Sequence, residues 1–168
     1  MSTDTNPQAD LFRNAMARFT NGVTAVTTTE NRLPFGLIAT SVCSLSADPP
    51  TLLVCVNRSA SAHDVIARSG VFAVNLLSAE QKDVAQRFAE LKGSERFDLM
   101  RWTTGKSGAP ILIDSVVALD CKVLAKHNGY SHTIFVGEII ATKVHADPAA
   151  SCLLWHRRSF ASTALEVR

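Results

Sequence analysis

The stretch with the most chemistry in it is a run of small hydroxyl and thiol side chains, Thr40, Ser41, Cys43, Ser44 and Ser46, lying between a glycine-led apolar segment and the turn Asp48-Pro49-Pro50. It is too polar for a core strand and too β-branched for a helix. Proline fixes φ and restricts the residue before it, so Pro49-Pro50 marks a corner. The segment TLLVCVN that follows is an apolar run of strand length. Then come Asn57, Arg58, Ser59 and Ser61, ahead of a short helix closed by Gly70. Ser61 with Asp64 has the spacing of a capping box, and Gly70 stands where a C-terminal glycine stop belongs. A helix start carries free N–H groups and partial positive charge, so it can hold a phosphate, to which Arg58, Ser59 and Ser61 add donors. This layout offers a shelf for a flat polar ring at one end and an anchor for a phosphate tail at the other. A serine cap is also the ordinary way to begin a helix.

Other chemistries find little support. Serine, histidine and acid are nowhere flanked like a hydrolase triad, and no Gly-x-Ser-x-Gly elbow is present. Histidine, cysteine and carboxylate do not cluster as metal ligands, so no metal is expected. The cysteines, Cys43, Cys55, Cys121 and Cys152, form no Cys-x-x-Cys pair and read as free, buried thiols. A glycine fingerprint for a Rossmann dinucleotide site is missing after every strand. Of five histidines, His132 alone opens a long apolar strand directly after a turn; His63 and His127 read as exposed, and His145 as a strand end.

The elements that must position these residues follow from periodicity. Residues 1–9 read as a disordered leader and residues 10–168 as a single domain. Leu11, Phe12, Ala15, Met16 and Phe19 recur at helical spacing, so a first helix is expected to pack one face on the body. The segments VTAVTTT and VFAVNLL read as strands. Ser78 and Gln81 form a second capping box before a helix whose apolar face is Val84, Ala85, Phe88 and Ala89. Leu91 to Gly108 reads as a long irregular excursion anchored by Phe97, Leu99 and Trp102. In VALDCKVLAK, Leu119, Cys121, Val123 and Ala125 alternate with Asp120, Lys122 and Lys126, giving a dry and a wet face. After a turn at His127 to Tyr130, Thr133 to Val144 is apolar on both faces, which calls for a second subunit over the outside. Many strands on short turns with helices at the periphery favour a mainly β, antiparallel barrel over a doubly wound sheet.

Composition agrees with a globular domain: 168 residues, 46% hydrophobic, with 15 acidic and 17 basic side chains intermixed to a net charge of +2. No basic stripe marks a nucleic-acid partner. No apolar run reaches the roughly 20 residues that cross a bilayer, and MSTDTNPQAD is unlike a signal peptide. A cytoplasmic protein is the expectation.

The segments FRNAMARF, ATSVCSLSADPPTLLVCVNRSAS, FAVNLLSAEQKDVAQRFA, GAPILIDSVVALDCKV, SHTIFVGEI and LLWHRRSF, taken in order, resemble the small flavin reductases, the FMN-binding split-barrel components that supply reduced flavin to two-component monooxygenases. The resemblance runs from Phe12 to Phe160. It implies an antiparallel Greek-key split β-barrel of the FMN-binding type, a homodimer, and NAD(P)H:flavin oxidoreductase activity with FMN (FAD as a variant) and NADH or NADPH as co-substrate. Diffusible reduced flavin would pass to a separate oxygenase. By the same resemblance Ala39, Thr40, Ser41, Val42, Cys43 and Ser44 line the isoalloxazine edge, and Asn57, Arg58, Ser59 and Ser61 hold ribityl and phosphate oxygens. His132 lies beside the ring near the nicotinamide, Phe88 belongs to an Arg-Phe element near the flavin, and Trp155, His156 and Arg157 face the neighbouring subunit's flavin or the dinucleotide. For Trp155 a core or interface anchor is the alternative. Tyr130 and Ser131 depart from the Gly-Asp or Gly-Thr that many members carry before the histidine. Two rival activities share these motifs: an FMN-holding reductase of another acceptor, such as a cob(II)alamin-type corrinoid or metal chelate, and a non-catalytic flavin-binding barrel.

Overall fold

A computed structural model describes residues 6–163. The β-branched and apolar segments form strands β1 (Asn21–Gly22), β2 (Thr24–Glu30), β3 (Leu33–Ala39), β4 (Val42–Ala47), β5 (Pro50–Asn57), β6 (Val71–Leu76), β7 (Trp102–Thr104), β8 (Pro110–Leu112), β9 (Val117–Gly129), β10 (His132–Val144), β11 (Leu153–His156) and β12 (Ser159–Ser162). Helices α1 (Pro7–Met16), α2 (His63–Ser69) and α3 (Lys82–Glu90) lie around them. None is long and apolar enough to cross a membrane.

Seven strands make one antiparallel sheet in the order β3-β2-β6-β9-β10-β5-β4. Its two edge strands, β3 and β4, are joined in sequence by only Thr40 and Ser41. A sheet whose outermost strands are two residues apart along the chain must curl until its edges meet, and here they meet without pairing: a split barrel, mainly β with peripheral helices. The diproline corner turns β4 into β5 as the sequence suggests, with Ala47 opposite Pro50. Val26, Val54, Val56, Phe72 and Phe135 fill the interior. A second cluster, with Val23, Leu77, Phe88, Phe97 and Leu153, lies under α3.

Several expectations are corrected. Of the expected leader, residues 1–5 lie outside the described residues, while α1 starts at Pro7, where Asn6 accepts a hydrogen bond from the Gln8 amide. The helix packs no residue into the core: Leu11 and Phe12 are 64% and 62% exposed. Helix α2 begins at His63 with Ala62 at its cap and no side-chain capping bond, so the Ser61–Asp64 box does not form. The chain before it is held instead by Asn57, whose Oδ1 accepts from the Ser59 amide and hydroxyl. Gly70 does close α2, in the left-handed conformation at φ 69, and the Ser78–Gln81 box does form.

The excursion after α3 is partly regular, with a short 3-10 helix over Gly93–Phe97 and β7 paired to β8. Phe97 anchors it at 4% exposure and stacks edge-on with Trp102, whereas Leu99 is 97% exposed and anchors nothing. On β9 the wet-face assignment of Asp120 fails. It is 2% exposed and accepts from the amide and hydroxyl of Ser107, clasping the loop to the barrel. The alternation itself holds, with Leu119, Cys121 and Val123 on the interior cluster, but the opposite face is covered here by β8 and the loop before it, where Ala109 and Ile111 pack with Ala118. The turn is tighter than expected, with Gly129 paired to His132 and only Tyr130 and Ser131 between them.

On β10, Thr133, Phe135 and Gly137 point inward and are buried, while Ile134 and Val136 remain half-exposed. Gly137 lets Phe72 pass: a Cβ there would lie 2.5 Å from Phe72 Cζ and 3.1 Å from Cys121 Cβ. Phe72 and Cys121 are both fully buried and have nowhere to move. Replacing Gly137 by Ala is therefore expected to lower unfolding free energy by about 2 kcal/mol. Chemical denaturation of the two proteins side by side measures it, and an unchanged midpoint would contradict this account of the core.

Candidate active site

Two groups of side chains converge on the seam where the barrel fails to close. The first sits at the ends of β5 and β10. His132 pairs with Asn57 across these strands, and the Arg58 amide donates to Ser131 O at 3.0 Å. Cys55, two residues before Asn57, exchanges bonds with the link between the edge strands: its amide donates to Ser41 O at 3.1 Å, and Ser41 Oγ donates to Cys55 O at 2.9 Å. Ser41, Asn57, Ser59 and His132 thus crowd one end of the barrel. The His132 ring is hydrogen-bonded through Nδ1 to Ser131 Oγ at 2.9 Å, which leaves Nε2 as its open nitrogen.

The second group forms a cleft of about 270 Å³ between the end of β3, helix α3 and the β11–β12 hairpin. Ile38, Ala39, Thr40, Ala85, Ala89, Trp155 and Phe160 line it together with Val23. Trp155 and Phe160 meet edge-on at 5.0 Å and make one rigid wall. Its surface is mostly apolar, with Thr40 of the link between the edge strands as its polar residue. Clefts of about 280 and 350 Å³ beside Ser78 and Asp114 are larger, but carboxylates line them and neither touches the hydroxyl run.

Of the residues singled out by sequence, Ala39, Thr40 and Trp155 share the cleft, and Ser41, Asn57, Ser59 and His132 share the barrel end beside it. Val42 is half-buried, while Cys43 and Ser44 are exposed on edge strand β4. Other residues stand elsewhere. Phe88 is buried at 2% exposure, packed against Phe97 at 5.3 Å and under Gly36, so it supports the groove without lining it. His156 is hydrogen-bonded to Thr20 Oγ1 at 2.9 Å, and the Arg157 amide donates to Ala17 O at 2.7 Å; both tie the hairpin to the end of α1. Arg58 turns its guanidinium away to Asn128 Oδ1 at 2.8 Å. His63, expected to be exposed, is half-buried and hydrogen-bonded through Nε2 to Thr133 Oγ1 at 2.8 Å.

One residue escaped the sequence reading. Arg96, in the excursion, donates from Nε to Leu91 O at 2.8 Å and from Nη1 to Gly36 O at 2.6 Å, lies 3.5 Å from Ser61 Oγ and rests 5.8 Å over the Phe88 ring. Partial burial holds its pKa below the usual arginine value. Its only sequence signal is its place beside Phe97, an anchor that fixes whatever precedes it. Among the thiols, burial, reinforced by the charge of Asp120, pushes Cys121 up to about 12, and burial also raises Cys152, so neither is a nucleophile at neutral pH. No three metal-ligating side chains come together among the described residues.

Known proteins give this geometry a context. A family model described as flavin reductase like domain matches residues 16–164. FMN reductase (NADH) RutF of Agrobacterium fabrum is 38% identical over 162 residues, spanning 95% of this chain and 92% of that protein. FMN reductase (NADH) RutF of Stutzerimonas stutzeri is 36% identical over 150 residues, 89% of this chain and 85% of its own length. NADH:FAD oxidoreductase SgcE6 of Streptomyces globisporus superposes with a TM-score of 0.88 at 34% identity, covering 98% of both chains. The nitrilotriacetate monooxygenase component B homolog of Mycobacterium thermoresistibile gives 0.88 at 28% identity over 96% of this chain and 93% of that one. The seam, the apolar cleft beside it and a family match over most of its length agree: the chain belongs to the flavin reductase-like domain family.

Proposed function

We propose that this protein is an NADH-dependent flavin reductase that takes FMN as its flavin and delivers it, reduced, to a separate oxygenase. The observation that carries this reading is the apolar cleft ending at the unpaired link between the two edge strands. Its residues suit a flavin. Ala39, Ala85 and Ala89 are small enough to admit a flat ring, Trp155 and Phe160 give it an aromatic wall, and Thr40 sets a polar group in the lining. Ser61 and Arg96 stand together as donors one strand segment away.

Bound flavin supplies the hydride-accepting chemistry that the side chains lack. The protein's part is placement. The Trp155–Phe160 wall keeps water from one side of the ring position, and the small residues opposite let two flat molecules approach. His132, with Nδ1 engaged by Ser131, presents Nε2 to whatever lies over the barrel end. The names of the curated relatives favour NADH over NADPH and FMN over FAD. NADH is drawn on in the cytoplasm, and the protein works there.

It works as a homodimer. The outer faces of β5 and β10 leave Leu53, Cys55, Ile134 and Val136 half-exposed, and α1 offers Leu11, Phe12 and Met16 to solvent. An apolar surface of this extent beside a cleft is what a second copy would cover.

Purified protein mixed with NADH and FMN is expected to lose the NADH absorbance band in proportion to enzyme, several-fold faster than with NADPH; no flavin-dependent oxidation with either dinucleotide would end this reading. Ala89→Trp, on an exposed position of α3 that lines the cleft, should raise KM for FMN about tenfold, equivalent to about 1.4 kcal/mol, while stability changes by less than about 0.5 kcal/mol. Unchanged FMN kinetics would move the ring out of this cleft. Light scattering should give twice the chain mass for the wild type and a single chain mass for Val136→Glu, because a carboxylate buried in the interface is uncompensated.

A further inference from the structure

We infer that the barrel end between α2 and the β9–β10 hairpin is a second binding site, apart from the flavin cleft, that takes a small carboxylate with an apolar body. A β-bulge builds it. On β9, Val123 lies opposite Gly137 and Ala125 opposite Val136, so Leu124 is an extra residue on that strand. An extra residue reverses the face to which the side chains after it point. By plain alternation Lys126 would share the outer face with Lys122. Instead it stands opposite Phe135, and Asn128 opposite Thr133, both buried, inward-facing residues of β10. Helix α2 lies across the same end, where Lys126 Nζ donates to Ala67 O at 3.2 Å. Helix and strands enclose a cavity of about 250 Å³ whose lining includes Arg58, His63, Ala67, Lys126 and Thr133.

Two cations meet at this cavity without an acid. Arg58 Nη2 donates to Asn128 Oδ1 at 2.8 Å and Lys126 Nζ to a carbonyl, and among the described residues neither makes an ion pair. Asp64 is taken by His63 Nδ1 at 2.7 Å, and Glu30 by Arg68 at 2.9 Å. His63 Nε2 is in turn bonded to Thr133 Oγ1 at 2.8 Å. The polar groups of the wall are thus matched to one another, and the two positive charges are left over. Charges of one sign around a concavity with low-dielectric walls focus their field on an anion that enters it.

The rest of the lining sets the class of that anion. Ala67 and the His63 ring, backed edge-on by Phe135 at 5.6 Å, make most of the wall apolar. Phosphate would lose water against such a wall with nothing in return. A carboxylate on a small hydrocarbon or aromatic body turns its charge to Lys126 and Arg58 and its body to the wall. None of these residues lines the flavin cleft, and Thr133 projects from the opposite face of β10 to His132. The site therefore stands or falls apart from the flavin reading.

Calorimetric titration of the full chain with benzoate, its neutral analogue benzamide and inorganic phosphate tests the assignment. Benzoate should bind with a Kd of about 1 mM or tighter. Benzamide and phosphate should bind about tenfold more weakly or worse. Lys126→Met, at an exposed position and with the aliphatic stem kept, should weaken benzoate about tenfold and leave FMN affinity within about twofold. Lys126→Arg should keep most of the benzoate affinity, and saturating FMN should leave the benzoate titration unchanged. Absence of benzoate binding up to about 10 mM overturns the site, as does undiminished binding in Lys126→Met. Benzamide or phosphate binding as tightly as benzoate overturns the class of ligand, and displacement of benzoate by FMN moves it to the flavin cleft and ends the proposal.

Discussion

The structure depends on one topological constraint: strands β3 and β4, at opposite edges of a seven-stranded sheet, are tied by a two-residue link. The sheet must roll up, yet its edges do not pair, so both keep backbone groups that water or a ligand has to satisfy. Ala39 O is taken by Thr24 Oγ1 at 2.7 Å, and Ser41 is taken by Cys55. Thr40, between them, carries the seam's free polar surface into the cleft. A closed barrel would have had no such place, and a flat open sheet would have held these residues far apart.

Holding the seam open requires that everything behind it be rigid. Asn75, fully buried between β2 and β8, donates to Ala25 O and Thr27 Oγ1 and accepts from the Leu112 amide. That fixes β8 against the barrel through a satisfied polar network. Asp120 clasps the preceding loop through Ser107. With β8 and the loop both pinned, Phe97 drops into the second core cluster against Phe88, and Arg96 is delivered to Gly36. The absent side chain of Gly36 matters here, because a Cβ would stand 2.7 Å from Phe88 Cε1 and 2.9 Å from Val26 O. Groups nowhere near the cleft thus set the position of the Arg96 guanidinium beside Gly36.

How much of this was legible follows from how local each signal is. The edge strands, the diproline corner, the Gly70 stop and the Ser78–Gln81 box were readable because turn chemistry and periodicity act over a few residues. Asp120 was misread because the outer face of β9 is covered there by β8 and the loop before it, long-range contacts that strand alternation does not record. Ser61 had the right neighbours for a cap, but Asn57, four residues earlier, captured the turn first. Helix α1 has an apolar face whose partner is not in its own chain's core, a fact that periodicity alone cannot supply. Arg96 lay in a segment of glycine, serine and charge, and its role comes from contacts with residues 35 and 60 positions away.

The β11–β12 hairpin connects the apolar surface to the cleft. Its turn, Arg157-Arg158, adopts φ of 48° and 61°. His156, the Arg157 amide and Arg158 reach Thr20, Ala17 and Asn14 respectively, so the hairpin is bound at three points to the last turn of α1 and the turn that follows it. The same hairpin presents Trp155 and Phe160 to the cleft. Whatever settles on the exposed face of α1 therefore bears on the aromatic wall through the Arg158–Asn14 bond and the turn after the helix. In a lone chain, α1 has no buried residue to hold it, and the wall is only as firm as that helix. The firmness of the cleft's aromatic wall is in this architecture tied to a helix that lies outside the core.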